Sequence, residues 1–302
     1  MSIKAGYVTI IGKPNVGKST LMNRLIGEKI SITTPKAQTT RKRVLGIWDE
    51  KDCQIIFLDT PGILEPKYLL QEKMLGYIFQ SVEDADVILF IIDASNDPTG
   101  EKTLENENVR QVLEKSKVPK ILLINKIDLT TQEKLERLIN KLDAKKSFEK
   151  IIPVSATFGT NLINVKETIL EFIPEGKKFF PEDQLSDEPE RFFVSEIIRE
   201  KIFEIYRDEV PYSSEVLIEE FKERDKGKDY VSASIVVEKE TQKPIILGKK
   251  GELIKKLGRL AREEIERFLQ REVYLELRVK VRKNWRSNPN FLKSFGYSDG
   301  EN

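Results

Sequence analysis

Directly after the apolar run Tyr7–Ile11, the residues Gly12-Lys13-Pro14-Asn15-Val16-Gly17-Lys18-Ser19-Thr20 bring together two glycines, a fixed-length cation and two hydroxyls. Such a loop suits one kind of chemistry. Gly12 and Gly17 let the backbone wrap with its N–H groups turned inward on phosphate oxygens. A helix opening near Lys18 adds the positive end of its dipole. Lys18 supplies a point charge for β- and γ-phosphates, and the Ser19 hydroxyl a ligand for Mg²⁺. The whole loop, with Lys13, Pro14, Asn15, Val16 and Thr20, is expected to hold a nucleoside triphosphate.

Three further stretches follow at the ends of apolar runs. In Asn125-Lys126-Ile127-Asp128, the Asp128 carboxylate can accept from guanine N1–H and the exocyclic amine. Adenine offers neither donor at that edge, so pairing with it would leave a desolvated charge unpaired. In Asp59-Thr60-Pro61-Gly62, Asp59 is placed to help hold Mg²⁺ and the Gly62 amide to sense the γ-phosphate. Ser155-Ala156 can present its backbone to the base. The polar stretch Ser31–Arg43 has no apolar period and reads as a mobile loop. Within it Thr40, or its neighbour Thr39, is the expected contact to Mg²⁺ and the γ-phosphate.

Composition removes other chemistries. The 302 residues contain no histidine and one cysteine, Cys53. Ser-His triads, His-ligated metals, disulfide frameworks and cysteine zinc sites are therefore excluded. The longest continuous apolar run, Val87–Ile92, is too short for a membrane span. An apolar strand beginning by residue 7 leaves no room for a signal peptide, so a cytoplasmic location is the expectation.

The elements that must position these residues alternate. Strands are expected at Tyr7–Ile11, Val44–Trp48, Gln54–Asp59, Val87–Asp93, Lys120–Asn125 and Ile151–Ser155. Helices are expected between them, at Ser19–Ile26, Leu70–Val82, Thr103–Lys115, Gln132–Lys145 and Asn161–Ile173. The runs Val87–Ile92 and Ile121–Ile124 do not alternate, as strands covered on both faces would not. This pattern is α/β with a mostly parallel sheet, over residues 1–174. Residues 175–189 are rich in Pro and acids, lack a period and read as a linker. Residues 190–302 then give the order α-β-β-α-α-β, a smaller α+β domain with a C-terminal tail.

The net charge of +1 conceals an asymmetry, about −7 over residues 175–227 against about +6 over 228–302. Lys243, Lys249, Lys250, Lys255, Lys256, Arg259 and Arg262 face one acid, Glu252. Arg278, Lys280, Arg282, Lys283, Arg286 and Lys293 follow with none between them. An anionic partner is expected for this domain.

The first set of motifs, with Gln38-Thr39-Thr40-Arg41, resembles the Era-like branch of the translation-factor-related P-loop GTPases over roughly residues 5–173. In the second domain the stretch Ile245–Ile254 carries Gly248-Lys249-Lys250-Gly251 between two helices, which resembles a type II KH domain. Such a loop lets a sugar–phosphate backbone approach closely while an apolar groove takes about four unstacked bases. Ile246, Lys255, Lys256, Arg259 and Arg282 are the further RNA-contacting expectations. A P-loop GTPase domain followed by a KH domain is the arrangement of the Era family. That resemblance implies GTP hydrolysis with Mg²⁺, binding to the 3′ end of 16S rRNA, and assistance to small ribosomal subunit assembly. It further implies a monomer with peripheral membrane association. Lys18, Asn15 and Thr40 are the expected catalytic residues. Ras-like enzymes orient water with a Gln just after the D-x-x-G motif, but Ile63 stands there in this chain, so turnover is expected to be slow. Relatives with Asn at the position of Asn15 can use K⁺ beside the phosphates, which makes Asn15 a K⁺ ligand by resemblance. Two rival readings are an RNA-binding or scaffolding protein with structural GTP, and a GTPase acting on another nucleic acid or in tRNA modification.

Overall fold

The computed structural model describes residues 3–297, which form two compact units. The first runs to Asp187 without Tyr68–Leu70; the second takes those three residues and Glu188 onward.

In the first unit, strands β1 (Ile3–Gly12), β2 (Val44–Glu50), β3 (Cys53–Asp59), β4 (Val87–Asp93), β5 (Lys120–Asn125) and β6 (Lys150–Pro153) form one sheet. Its order is β2-β3-β1-β4-β5-β6. All neighbours are parallel except β2 and β3, a hairpin in which Val44 lies opposite Asp59. Helices α1 (Lys18–Ile26), α2 (Leu69–Glu83), α3 (Glu101–Leu104), α4 (Glu107–Lys115), α5 (Gln132–Asp143) and α6 (Leu162–Phe172) fill the connections. Every residue of β3 and β4 is buried, as their unbroken apolar runs require. Each fully buried Ile or Leu contributes about 1.5–3 kcal/mol.

The expected helix 103–115 is two helices. Asn106 breaks it, because its side chain accepts from the Val109 amide and so starts α4 afresh. β1 begins four residues earlier than its apolar pattern suggested, and its first residues gain an antiparallel partner, β7 (Glu175–Gly176).

That partner belongs to the stretch read as a linker. Beyond β7, Phe179 and Phe180 donate their amides to Gln54 Oε1 at 2.7 and 2.9 Å. Lys178 pairs with Asp49, Leu185 O accepts from Ile47 N at 2.9 Å, and Ser186 Oγ donates to Leu45 O at 2.6 Å. The Phe180 ring packs on Leu45, Ile47, Ile56 and Leu58. Residues 175–186 are thus a strap over the β2–β3 end of the sheet, with the buried Gln54 amide as its anchor.

The second unit has α7 (Glu190–Ile205), α8 (Val210–Ser213), β8 (Glu215–Lys222), β9 (Asp229–Val237), α9 (Gln242–Leu247), α10 (Glu252–Leu269), β10 (Val273–Val281) and α11 (Pro289–Ser294). The sheet order is β10-β9-β8, with β8 antiparallel and β10 parallel to β9. Its core joins Val194, Ile198 and Ile202 of α7 to Val231, Ala233 and Ile235 of β9 and to Leu257, Ala261 and Ile265 of α10. The short helices α8 and α11, four and six residues long, show no period in the sequence. No helix among the described residues is long and apolar enough to cross a membrane.

Candidate functional sites

The carboxyl ends of β1, β3, β4 and β5 deliver their loops to one end of the sheet, where α/β folds bind ligands. There a cavity of about 520 Å³ is lined by Pro14, Asn15, Gly17, Lys18, Ser19 and Thr20, by Gly62, and by Asn125, Lys126, Ala156 and Thr157. Residues 32–40 contribute another wall, through Ile32, Pro35, Thr39 and Thr40 among others.

The loop before α1 takes its shape from close approaches. Gly17 has φ 103°, and a Cβ there would lie 2.3 Å from Asn125 Nδ2, so no other residue fits. Asn125 is a clamp: Nδ2 donates to Val16 O at 2.7 Å, and Oδ1 accepts from Ala156 N at 2.9 Å. One amide thereby fixes the phosphate loop to the Ser155-Ala156 turn. Lys18 is buried, with Nζ 3.1 Å from Lys13 O and 3.4 Å from Gly12 O. Burial, partly opposed by Asp59, lowers its ammonium to about 8. Burial likewise raises the Asp59 carboxyl, against the opposing effects of Lys18 and nearby hydroxyls. Phosphates and a divalent cation would restore the charged form of each.

Ser19 Oγ donates to Asp59 Oδ2 at 2.6 Å and lies 3.0 Å from Thr40 Oγ1, which is itself 3.3 Å from Asp59 Oδ2. Two hydroxyls and a carboxylate therefore meet beside Lys18. Asp59 Oδ1 is buried with no hydrogen-bond partner. Hard oxygen donors and an unpaired carboxylate oxygen fit Mg²⁺. Thr39 turns elsewhere: its Oγ1 bonds Thr34 Oγ1 at 2.6 Å and Lys36 O at 2.8 Å. Thr40, not Thr39, is the threonine whose hydroxyl meets Ser19 and Asp59.

Other expected residues take different places. Lys13 sends its Nζ to Lys102 O, away from the cavity. Val16 is buried. Asp128 accepts from Ser155 Oγ at 2.5 Å, and the pair does not line the cavity. Ile63 is 2 % exposed, packed in the sheet core, and its amide donates to Gly12 O at 3.0 Å. Its side chain has no access to a water. Asn96 and Thr157 line the cavity but carry no motif that sequence reading could have used.

In the second unit, the Gly248–Gly251 loop joins α9 to α10. Gly248 has φ 72°, and a Cβ there would meet Leu253 at 2.6 Å. Lys250 adopts φ 51°. Lys249, Lys250, Lys255 and Lys256 are exposed. A groove of about 560 Å³ runs between α10 and β10, lined by Ile254, Lys255, Gly258, Arg259, Arg262, Leu275 and Leu277, with Lys228, Val273 and Tyr274. An apolar floor with a cationic rim suits unstacked bases and their phosphates. Ile246 corrects an expectation: it is 0 % exposed in the domain core, whereas Ile245 is 46 % exposed. Arg282 places its guanidinium over the Phe291 ring, 5.9 Å from the centroid.

A phosphate loop with Thr40 and Asp59 gathered on its serine, and an Asn-Lys-x-Asp turn beside it, defines a P-loop GTPase; the α-β-β-α-α-β unit defines a KH domain behind it. Comparison agrees on both, since residues 7–126 match the family described as "50S ribosome-binding GTPase" and residues 209–286 the KH domain. GTPase Era of Halothermothrix orenii is 46% identical over 298 residues, covering 98% of this chain and 99% of its own. GTPase Era of Ruminiclostridium cellulolyticum is 42% identical over 302 residues and the full length of both. Among solved structures, a point variant of Aquifex aeolicus Era bound to GDP and AlF4⁻ is 45% identical with a TM-score of 0.91, covering 98% of this chain and 100% of that one. Era in complex with MgGDPNP and nucleotides 1506–1542 of 16S ribosomal RNA matches with a TM-score of 0.92 at 45% identity, covering 98% and 99%. The chain belongs to the Era family of GTPases.

Proposed function

We propose that this GTPase binds the 3′ end of 16S rRNA through the groove of its KH domain, in the GTP-bound state, during assembly of the small ribosomal subunit. The observation that carries the reading is the gathering of Thr40 onto Ser19 and Asp59. It ties residues 31–43 to the metal position, so γ-phosphate and Mg²⁺ can order that segment and hydrolysis can release it. In this reading Ser19 and Thr40 would hold Mg²⁺ with Asp59 supporting them, and the ion, when bound, would supply positive charge for the β- and γ-phosphates. Lys18 binds the same phosphates. The Asp128 carboxylate and the Ala156 backbone read guanine, with Ser155 orienting Asp128. Lys249, Lys250, Lys255, Lys256 and Arg259 contact RNA phosphates.

Asn15 is proposed as a K⁺ ligand. It lines the cavity, and its Nδ2 donates to Pro35 O at 3.0 Å, linking phosphate loop and switch segment. Faster hydrolysis in K⁺ than in Na⁺, lost in Asn15→Ala, supports this role; equal rates in both salts reject it.

The burial of Ile63 favours slow unassisted turnover, and with it the rival reading of a scaffold whose GTP is structural. One experiment separates the two: affinity for an oligonucleotide of the 16S rRNA 3′ end, with GDP and with a non-hydrolysable GTP analogue at one fixed salt. A switch predicts a difference of about 1–3 kcal/mol. Identical affinities favour the scaffold. The same proposal has the protein act as a monomer in the cytoplasm with peripheral membrane association, which sedimentation and vesicle flotation test.

A further inference from the structure

At the carboxyl end of β4, Asp93 is a buried carboxylate with an unusual number of partners. It accepts from Ser95 N at 2.9 Å, Ser95 Oγ at 2.6 Å, Asn96 N at 3.2 Å and Asn96 Nδ2 at 2.7 Å. Lys126 Nζ lies 2.6 Å from its Oδ2. Burial alone would raise this carboxyl, but the bonds from Lys126, Ser95 and Asn96 hold it below the usual range. Its partners therefore hold it in the charged form.

Two of its partners, Lys126 and Asn96, line the nucleotide cavity, although Asp93 itself does not. Lys126 occupies a left-handed backbone position, φ 63° and ψ 38°, which sends its side chain off the strand end. A lysine held at that backbone and again at its ammonium has few rotamers left. Its alkyl stem, beside Asn125 and Ala156, is then a fixed part of the cavity wall.

We infer that Asp93 is a positioning residue of the nucleotide site: by holding the Lys126 ammonium it fixes that stem against the base and sets how long a guanine nucleotide stays bound. The inference rests on the guanine reading of Asn125–Asp128. Without Asp93 the lysine must be ordered each time a nucleotide binds, a cost that corresponds to about three- to tenfold in affinity for one such side chain. The competing role is purely local. Asp97 N donates to Asp93 O at 2.9 Å, and the carboxylate could serve only to brace that turn.

The test is release of a fluorescent GDP analogue, followed by stopped flow. Asp93→Asn retains an oxygen for the Ser95 and Asn96 backbone amides, and loses the charge that holds Lys126 together with the acceptor of Asn96 Nδ2. Release should quicken about three- to tenfold. Lys126→Met should quicken it at least as much, and adding Asp93→Asn to Lys126→Met should change nothing more. Preference for GTP over xanthosine triphosphate should stay as it was in Asp93→Asn, while Asp128→Asn reverses it. Release within about twofold of the parent, or equal acceleration with and without Lys126, overturns the inference and leaves the turn-bracing role. If Asp128→Asn keeps the GTP preference, the guanine reading itself fails. Should Asp93→Asn not fold, hydrogen exchange of the Lys126 ammonium in the unaltered GDP-bound protein decides. Protected protons support the pair, and exchange at the rate of a free lysine rejects it.

Discussion

The nucleotide cavity and the KH groove are of similar size, about 520 and 560 Å³, and both are proposed to bind phosphates, yet they are built on opposite principles. In the first, polar groups are buried and bonded to one another. Lys18, Asp59, Thr40 and Asn125 are each under 10 % exposed, and Asn125 alone joins two loops. In the second, the cations lie in water around an apolar floor, with Arg259 paired to Glu263 one helical turn away and Lys228 3.8 Å from Glu272. Preorganisation concentrates the binding energy of the first site in a few groups. The second spreads it over many weak contacts that salt can screen.

The sharpest way to break this contrast is to remove one buried group. Lys18→Ala deletes the cation of the phosphate cradle, whose charge-assisted bonds each contribute about 1.5–3 kcal/mol. The dissociation constant for GTP should rise about 100-fold or more. A value within about threefold of the parent would mean that the cradle binds through backbone alone.

Acidity probes the same group without mutation. Burial, partly opposed by Asp59, lowers Lys18 to about 8, whereas bound phosphates favour the ammonium. Binding therefore takes up a proton wherever Lys18 is neutral beforehand. GTP affinity should be level below about pH 7 and fall above pH 8, approaching tenfold per pH unit. Titrating GTP affinity from about pH 6.5 to 9.5 reads this, and a level curve would refute it.

The groove is broken by counting charges. Lys249→Ala with Lys250→Ala removes two proposed phosphate contacts, so the slope of log K against log salt should become shallower by roughly 1.4 for single-stranded RNA. GTP hydrolysis without RNA should hold. An unchanged slope would make Gly248–Gly251 a turn between helices and nothing more.

The two sites also differed in how far the sequence disclosed them. The phosphate loop was legible because its chemistry is local, with glycine, lysine and serine at spacings that the backbone itself demands. Thr39 and Thr40 were not separable, since adjacent identical residues differ only in which way the folded loop turns them. Asp93 went unnoticed because an acid at a strand end has no pattern; its importance comes from Lys126, 33 positions later in the chain. Ile245 and Ile246 cannot be told apart by pattern, because α9 is only six residues long and shows no clear inner face. The strap was hidden for a related reason. Extended chain pinned by Gln54 has neither period, so it reads as linker. The alternation of α, β and sheet direction, by contrast, was written in apolar runs that have only one way to be buried.

The smallest expected effect concerns Gly258, in the middle of α10. A glycine there costs the helix about 0.5–1 kcal/mol relative to alanine. Packing inside the protein does not require it: a Cβ would touch Leu277 Cδ1 at 3.6 Å, ordinary contact, and nothing closer. What the methyl would occupy is the groove, which Gly258 and Leu277 line from opposite sides. Gly258→Ala should therefore stabilise the isolated fold by about 0.5–1 kcal/mol and weaken RNA binding about fivefold, the lower end of the cost of overfilling a fitted site. The two effects have opposite signs, so a general loss of structure cannot imitate them. Thermal melting and RNA titration of one preparation read both. If alanine raises the melting point and leaves RNA affinity intact, the bases do not lie on this floor, and the groove between α10 and β10 loses its proposed role.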